Sequence, residues 1–339
     1  MIDDPILPSE GLGIPLDHGR RKAFNEFNEM VYLGKVQLET VRACFCGASD
    51  LEGLSRYDRF GLPFGTQICR SCGLITQTLR IHPGSLPLFY ERIYWPLVTG
   101  DAPVYATKTE FDGASFLLSK YLPSSNSKNI TIFEVGCGAG GRIEKVGEAL
   151  ARAGFEAKLV GCDYSGDALL LAESKGIKTI RGGMDELSQM GQADVLILSH
   201  VFEHFPDLDQ ATDQMNRLVH EDSLIYIEVP GVIDLENKAE YLYDYQLYNV
   251  LAHTFNFSLT TLSQVMLRKG FALIEGDEYV RAIFSKGEGS NPFKSGYSEI
   301  MSALERANVK RQDVLKRRNH PVIRYARNLA KSLMGRVVS

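Results

Sequence analysis

The sequence predicts an α/β fold: a mostly parallel, seven-stranded sheet flanked by helices, with a small cysteine-rich module before it and a basic helical tail after it. Three observations carry this expectation. From Asn129 onward, strand-like and helix-like segments alternate, as they do where crossover helices join parallel strands. The stretch "TIFEVGCGAGGRIEKV" (131–146) reads as a buried strand, a glycine-rich turn and the start of a helix. Four of the six cysteines fall in two close pairs.

The bulk numbers fit a soluble globular chain: 339 residues, 44% hydrophobic, 23% charged. No run approaches the ~18–20 apolar residues of a membrane span. The N-terminus "MIDDPILPSEG" is acidic and lacks the basic-then-apolar pattern of a signal, which reads as cytoplasmic. In that compartment cysteines serve as metal ligands or buried thiols rather than disulfides. The net charge of −5 is unevenly spread: residues 302–339 carry ten Lys/Arg against two Asp/Glu, which leaves −13 on the remainder. An acidic body with a basic tail asks for a partner or a surface.

Five stretches follow in order. Residues 1–41 form a leader with a helix near Arg21–Tyr32, and residues 42–80 hold the paired cysteines. Residues 81–128 are a connecting segment, aromatic in "LPLFYERIYWPL", helical in "KTEFDGASFLLSKYL", with a break at Pro123–Asn129. Residues 129–287 carry strands at Ile130–Cys137, Lys158–Asp163, Lys178–Arg181, Ala193–Ser199 and Leu224–Val229. Helices are expected at Arg142–Ala153, Ala168–Lys175, Asp207–Val219 and Leu259–Lys269. Phe271–Gly276 and Val280–Ser285 are too close for a crossover and should pair antiparallel. Residues 288–339 form the basic helical tail.

Glu134 sits two residues before the first glycine of the turn. A pyrophosphate there would be repelled by an unpaired carboxylate, whereas a ligand carrying a sulfonium and an ammonium would be attracted. Glycines let the backbone approach such a ligand closely. Asp163, ending the second strand, is placed to receive both ribose hydroxyls of an adenosine-type ligand.

On these residues the chain resembles the class I S-adenosylmethionine-dependent methyltransferases, whose fold is Rossmann-like. "EVGCGAGG" is similar to their first motif (Glu134, Gly136, Gly138, Gly140), "GCDYS" to the second (Asp163, Tyr164), "ADVLILSHVFEHFPD" to the fourth-strand motif (Ser199 onward) and "SLIYIEVPG" to the fifth. The terminal antiparallel strand pair is a further likeness, and the resemblance spans about Ile130–Lys286. It implies S-adenosylmethionine as cofactor, held by the residues just named. Many members bind adenine with an acidic residue after the third strand. Here "RGGMDEL" puts Gly183 there, so backbone groups of Gly183 and Met184 take that role, and Asp185 caps the helix it begins.

"CFCG" (Cys44, Cys46) and "CRSCG" (Cys69, Cys72) resemble a structural zinc site, in which four thiolates close a tetrahedron. The first pair has one intervening residue instead of two; four buried or free thiols are the other reading. Cys137 and Cys162 read as core residues of sheet strands. Cysteine module, aromatic segment and methyltransferase domain together resemble the zinc-containing methyltransferases of bacterial sugar and polysaccharide biosynthesis. Their nucleotide-sugar C-methyltransferases usually carry a further α/β domain of well over a hundred residues, where this chain has about fifty residues after Lys286. The resemblance thus implies O-methylation of a sugar or glycan, with C-methylation of a nucleotide sugar, or a noncatalytic S-adenosylmethionine-binding scaffold, as the alternatives.

Methyl transfer to a hydroxyl needs a base. His253 in "AHTFNFS" is the first candidate, then His200 and His204 in "SHVFEH". That stretch also resembles quinone-biosynthesis O-methyltransferases, which implies a divalent metal at His200, Glu203 and His204; a loop-shaping role for Glu203 and His204 is the plain alternative. Tyr241, Tyr243, Tyr245 and Tyr248 either stack on a sugar or fill the core. In the tail, Val322, Ala326, Leu329, Leu333 and Val337 fall at helical spacing with Arg324, Arg327 and Lys331 mostly off the stripe. Such a helix either lies on an anionic membrane, as peripheral contact at its inner face, or packs on its own domain or a second subunit. No aromatic-plus-basic motif for nucleic acid accompanies it.

Overall fold

The structure is a computed structural model that describes residues 13–101, 113–121, 128–287 and 294–319. After a helix at His18–Tyr32, capped by Asp17, come five short strands: β1 (Leu38–Thr40), β2 (Leu51–Ser55), β3 (Thr66–Cys69), β4 (Ile75–Gln77) and β5 (Leu79–Ile81). A run of helical turns over Leu86–Thr99 follows, π-helical at Tyr90–Tyr94. The helix Gly113–Tyr121 leads to β6 (Asn129–Val135), β7 (Glu156–Asp163), β8 (Lys178–Arg181), β9 (Ala193–Ser199) and β10 (Val219–Glu228). The tiny β11 (Phe255–Asn256) precedes β12 (Phe271–Gly276) and β13 (Arg281–Lys286).

The main sheet has the order β12-β13-β10-β9-β6-β7-β8. Strands β6 to β10 pair in parallel, and β13 runs antiparallel to both neighbours, inside the sheet rather than at its edge. Its centre is dry: Ile132, Phe133, Leu196, Ile197, Ile225 and Ile227 have no exposed surface. Continuous apolar runs are what strands covered by helices on both faces require. The strand order reverses between β6 and β9, and the glycine turn stands at that switch point, where open α/β sheets bind ligands.

Several expected boundaries shift. β6 stops at Val135, so Cys137 lies in the glycine turn, still buried, with its N–H donating to the Cys162 carbonyl at 3.0 Å. β10 starts at Val219 rather than Leu224, because Val219 pairs with Ala193 before a register shift. The break at 123–127 lies outside the described residues, as does the tail beyond Asn319 with its apolar stripe. The described part of the tail, helix Tyr297–Asn319, packs on its own chain: Ile300, Ala303, Leu304 and Ala307 are buried with Val232, Leu235, Leu54 and Ile75. Arg306 pairs with Glu236 at 2.7 Å and Arg311 with Asp244, so these cations are spent internally. No helix among the described residues is long and apolar enough to cross a membrane.

The tyrosine quartet belongs to this same seam. Tyr245 and Tyr248 are buried; Thr66 donates to the Tyr245 hydroxyl (3.1 Å), and Tyr248 donates to the Pro230 carbonyl (2.8 Å). Arg59 lies over the Tyr241 ring and Lys310 over the Tyr243 ring. The sugar-stacking alternative for these four gives way to packing.

The cysteine-rich segment is not a free-standing module. Its sheet has the order β11-β4-β3-β2, so a strand from beyond β10 completes it. The contact is dense in hydrogen bonds. Buried Asp58 accepts from the backbone of Phe60, Leu62 and Leu251, Gln77 donates its side-chain N–H to the Leu251 carbonyl at 2.7 Å, and Asn249 donates to the Phe64 carbonyl at 2.9 Å. The segment 249–256 is thereby fixed by residues nearly two hundred positions earlier. Gln77→Ala leaves a buried carbonyl unpaired, and chemical denaturation is expected to show a loss of about 1–3 kcal/mol with cofactor affinity unchanged.

Candidate active site

At the carboxyl end of β6 the turn is built on left-handed glycines: Gly136 (φ 67°), Gly138 (φ 51°) and Gly140 (φ 73°). A Cβ on Gly136 would come 2.6 Å from Val201, and one on Gly140 2.3 Å from Ile177, so a side chain at either would have to displace its neighbour in addition to bearing the left-handed backbone. A Cβ on Gly138 would meet nothing within 4 Å, which leaves this backbone open to a ligand. The turn fits an adenosine-type cofactor. Asp163, at the end of β7, accepts from Gly138 N–H (3.0 Å) and from Ser165 N–H (2.8 Å). Its carboxylate therefore stands at the glycine turn, as the sequence led us to expect.

Glu134 is buried, accepts from Ile143 N–H at 3.2 Å and faces Arg142 Nε at 3.6 Å, so the unpaired carboxylate expected beside the turn is corrected to a paired one. Arg142 also pairs with Glu228 at 2.8 Å, and Glu228 accepts from Ser199 Oγ at 3.0 Å and from the Tyr226 hydroxyl at 3.2 Å. Arg142 and Glu228 were not singled out from the sequence. No spacing rule links a residue of the helix Gly141–Arg152 to the end of β10; only the closed sheet does.

At the turn after β8, where the sequence expects adenine, Met184 is buried and Tyr164 is 65% exposed, its hydroxyl 2.8 Å from where a Gly183 Cβ would stand. The expected capping role of Asp185 is corrected. Gly183 occupies the cap position, its N–H donates to Glu186 at 2.8 Å, and Asp185 instead pairs with Arg217 at 2.5 Å. The Gly183 N–H is thus already engaged.

The loop after β9 and the segment before β11 bring the three candidate histidines around one carboxylate. Glu203 is 1% exposed, and neither of its oxygens has a hydrogen-bond partner among the described residues. Its Oε1 lies 3.7 Å from His200 Nδ1, 3.7 Å from His204 Nε2 and 3.9 Å from His253 Nε2. His200 adopts φ 54°, a left-handed conformation that costs energy in any residue with a Cβ and collects at functional sites. Its Nε2 is 3.9 Å from Glu228, joining the histidine cluster to the Arg142 network. The divalent-metal set expected from the sequence changes: the mutually close ligand atoms are those of Glu203, His204 and His253, with His200 outside.

The titration pattern separates the three rings. Burial lowers His253 to about 3 and also lowers His204. Burial opposes charge on His200 too, but the Glu203 and Glu228 carboxylates outweigh it and raise its pKa. Burial likewise opposes ionisation of Glu203, and any positive charge on the surrounding imidazoles, His204 first, favours its carboxylate form. The carboxylates thus make His200 the most basic of the three rings, and burial keeps His204 and His253 less basic than a free imidazole.

Aromatic residues wall the cluster. Tyr90 Oη is 3.0 Å from His204 Nδ1; the Tyr94 ring stands edge-on to His204 at 5.7 Å and to Trp95 at 5.0 Å. His204 and His253 meet edge-to-face at 5.0 Å. The sequence showed "LPLFYERIYWPL" as an aromatic run without revealing what it faces; a π-helical turn sets Tyr90 and Tyr94 on one side.

Cys44, Cys46, Cys69 and Cys72 converge, their sulfurs within 4.8 Å of one another, with Cys44–Cys72 at 3.5 Å and Cys46–Cys69 at 3.6 Å. Four sulfurs at about 2.3 Å from a zinc ion would stand ~3.8 Å apart, so the cluster fits that ion. Gly47 (φ 89°) and Gly73 (φ 86°) turn the chain after each pair, and Leu74 N–H points at Cys72 Sγ. The Cys44 hydrogen bond lowers the Cys72 thiol to about 6, which favours a thiolate in the cluster.

Residues 111–275, just under half of the chain, match the family described as a methyltransferase domain. A search of curated proteins gives no match. Among solved structures, the chain is similar to the plantazolicin methyltransferase BpumL in complex with SAH (19% identity, covering 60% of this chain and 75% of that one, TM-score 0.38). It is also similar to a putative class I S-adenosylmethionine-dependent methyltransferase from Listeria monocytogenes (14%, 57% and 68%, TM-score 0.35). A third is LepI in complex with SAM (18%, 60% and 53%, TM-score 0.43). These likenesses are remote, and none bears on the acceptor.

Two outcomes are expected. Asp163→Ala should weaken S-adenosylmethionine binding by about 1.5–3 kcal/mol in calorimetry, the scale of lost charged hydrogen bonds; tight NAD binding in its place would refute the cofactor assignment. Elemental analysis of protein purified without added metal should find about one zinc per chain at the cysteine cluster, and a metal-free chain that folds fully would refute that site.

Proposed function

We propose that this S-adenosylmethionine-dependent methyltransferase methylates a hydroxyl of a sugar or glycan at the Glu203 cluster. The observation that carries the proposal is a buried carboxylate ringed by three histidines, two residues beyond Val201, which itself packs on the cofactor turn. When bound, S-adenosylmethionine supplies an electrophilic methyl group on a sulfonium.

The protein's share is to hold the acceptor and receive its proton. His200 is the better base of the three. Its side chain is 46% exposed, it directly follows β9 where the acceptor must approach, and the Glu203 and Glu228 carboxylates near its two ring nitrogens raise its basicity. His253, named first from the sequence, is buried and only weakly basic, so it fits holding or shaping better than proton removal. The ladder Tyr90, Tyr94 and Trp95 offers flat apolar faces beside polar groups, a surface that suits the C–H faces and hydroxyls of a pyranose. The same base could instead remove an acidic C–H next to a carbonyl, which is the C-methylation alternative.

Mass spectrometry of products from a panel of sugars and glycans tests the acceptor class: an added methyl on oxygen supports it, one on carbon moves the reading to the alternative, and methylation of non-sugar acceptors alone refutes it. With an acceptor in hand, His200→Ala should lower kcat by about 10²–10⁴-fold while leaving cofactor affinity nearly unchanged. Full turnover in His200→Ala, with a comparable loss in His253→Ala, would transfer the base to His253.

A further inference from the structure

Arg59 stands apart from the other arginines withdrawn from solvent. Among the described residues these are Arg20, Arg59, Arg80, Arg142, Arg281 and Arg311. Five of them meet a carboxylate: Arg20 meets Asp17 at 2.6 Å, Arg80 Glu39 at 2.5 Å, Arg142 Glu228 at 2.8 Å, Arg281 Asp277 at 2.6 Å, and Arg311 pairs with Asp244. Arg59 has no such partner among the described residues. Its sequence neighbour Asp58 is fully buried, its carboxylate taken by the backbone N–H groups of Phe60, Leu62 and Leu251. The Arg59 guanidinium donates from Nη2 to the Tyr248 carbonyl at 2.9 Å and lies over the Tyr241 ring at 5.1 Å, while its Nε is buried without a hydrogen-bond partner. A half-buried cation left without a counter-charge costs free energy that a bound anion offsets.

This cation stands beside the candidate site. The Arg59 N–H donates to the Asn249 carbonyl at 2.9 Å, at the start of the segment that carries His253. After burial and the Glu203 carboxylate, the Arg59 charge is the next influence on Tyr94, and it acts on His253 as well, after burial, Glu203 and His204. The guanidinium is therefore within electrostatic reach of the aromatic wall and of the histidine cluster.

We propose that Arg59 binds an oxyanion of the acceptor, a carboxylate or a phosphate group, and so selects an acidic sugar over a neutral one. A guanidinium is planar and permanently charged, and its N–H groups form a fork that matches carboxylate and phosphate oxygens. Stacking on Tyr241 and the bond to the Tyr248 carbonyl hold the plane in one orientation, so binding has little left to order. An acidic substituent anchored there orients the sugar ring, and methyl transfer needs the reacting hydroxyl held in one orientation. The inference rests on the sugar-methylation reading for the class of acceptor; the anion site rests on Arg59 itself.

The test is calorimetric titration of the full chain, saturated with S-adenosylhomocysteine, using glucuronate, the anomeric glucose phosphate and glucose as probes. At least one anion should bind about 10–100-fold more tightly than glucose, the scale of a charged hydrogen-bonded pair. Preference for glucuronate assigns a carboxylate, and preference for the phosphate assigns a phosphoryl group. In Arg59→Gln, which keeps an N–H for the Tyr248 carbonyl, the preference over glucose should vanish. In Arg59→Lys, which keeps the charge without the fork, it should shrink to an intermediate value. S-adenosylmethionine binding by each variant shows that the fold persists, and where Arg59→Gln loses it, Arg59→Lys decides. Glucose bound as tightly as both anions, no anion bound up to high millimolar concentration, or the full preference kept in a folded variant would overturn the assignment. An arginine with a structural role alone would change stability and not this ratio. Product mass spectrometry is independent of it: sugars methylated without regard to charge defeat the anion site and leave the sugar reading, whereas an anion bound through Arg59 with only non-sugar products does the reverse.

Discussion

The pairing of segment 249–256 with the cysteine-rich sheet is the constraint on which the candidate site depends. β11 adds to β4, Asp58 and Gln77 hold the backbone of Leu251 from both sides, and the N–H of Gln77 donates to the Thr254 carbonyl at 3.1 Å. His253 lies between these anchors. The main sheet alone would supply a cofactor cradle and the loop carrying His200, Glu203 and His204. The N-terminal residues supply the rest: the template that sets His253 opposite Glu203, and the Tyr90–Tyr94 wall behind His204. A segment that looks like an accessory module is, in its hydrogen bonding, part of the candidate site.

This arrangement also explains the division of electrostatic labour. On one side, Glu134, Arg142 and Glu228 form a chain of alternating charge beneath the glycine turn, so that the carboxylate at its mouth is balanced. On the other, Glu203 is surrounded by imidazoles whose charge can change. His200 touches both groups through its two ring nitrogens, at 3.7 and 3.9 Å. Its left-handed backbone is the local cost of standing there, held by its N–H donation to the Glu228 carbonyl at 2.7 Å. Cofactor cradle and histidine cluster are therefore one connected network.

Much of the fold was legible in the sequence because its signals are local. Alternating apolar runs and glycine turns fix the strands of the main sheet and its crossover helices within a few residues, whereas β1 to β5 and β11 are too short to show such a pattern, and "EVGCGAGG" with Asp163 marks the cofactor turn through its resemblance within an ordered set of motifs. The paired cysteines were equally readable, since a four-ligand cluster needs only short knuckles and a closing loop. What escaped depends on tertiary closure. Arg142 reaching Glu228, Asp185 pairing with Arg217, and Tyr90 meeting His204 join residues that no periodicity relates. The tyrosines at 241–248 read as ambiguous because an aromatic run looks the same whether it faces a ligand or a seam; only the docking of helix Tyr297–Asn319 and of Arg59 decides it. The metal set shifted for the same reason: the sequence offers the three nearby residues of "HVFEH", and the fold replaces His200 with His253.

The central claim, that the cysteine-rich sheet holds the segment carrying His253 in place, is most directly tested by amide hydrogen exchange on the full chain and on a Cys46→Ser/Cys69→Ser variant. The account predicts that loss of the cysteine cluster lowers protection in residues 249–256, the Leu251 amide above all, while β6, β7 and β9 remain as protected as before. Unchanged protection at 249–256 in a variant whose residues 44–72 exchange freely would contradict it.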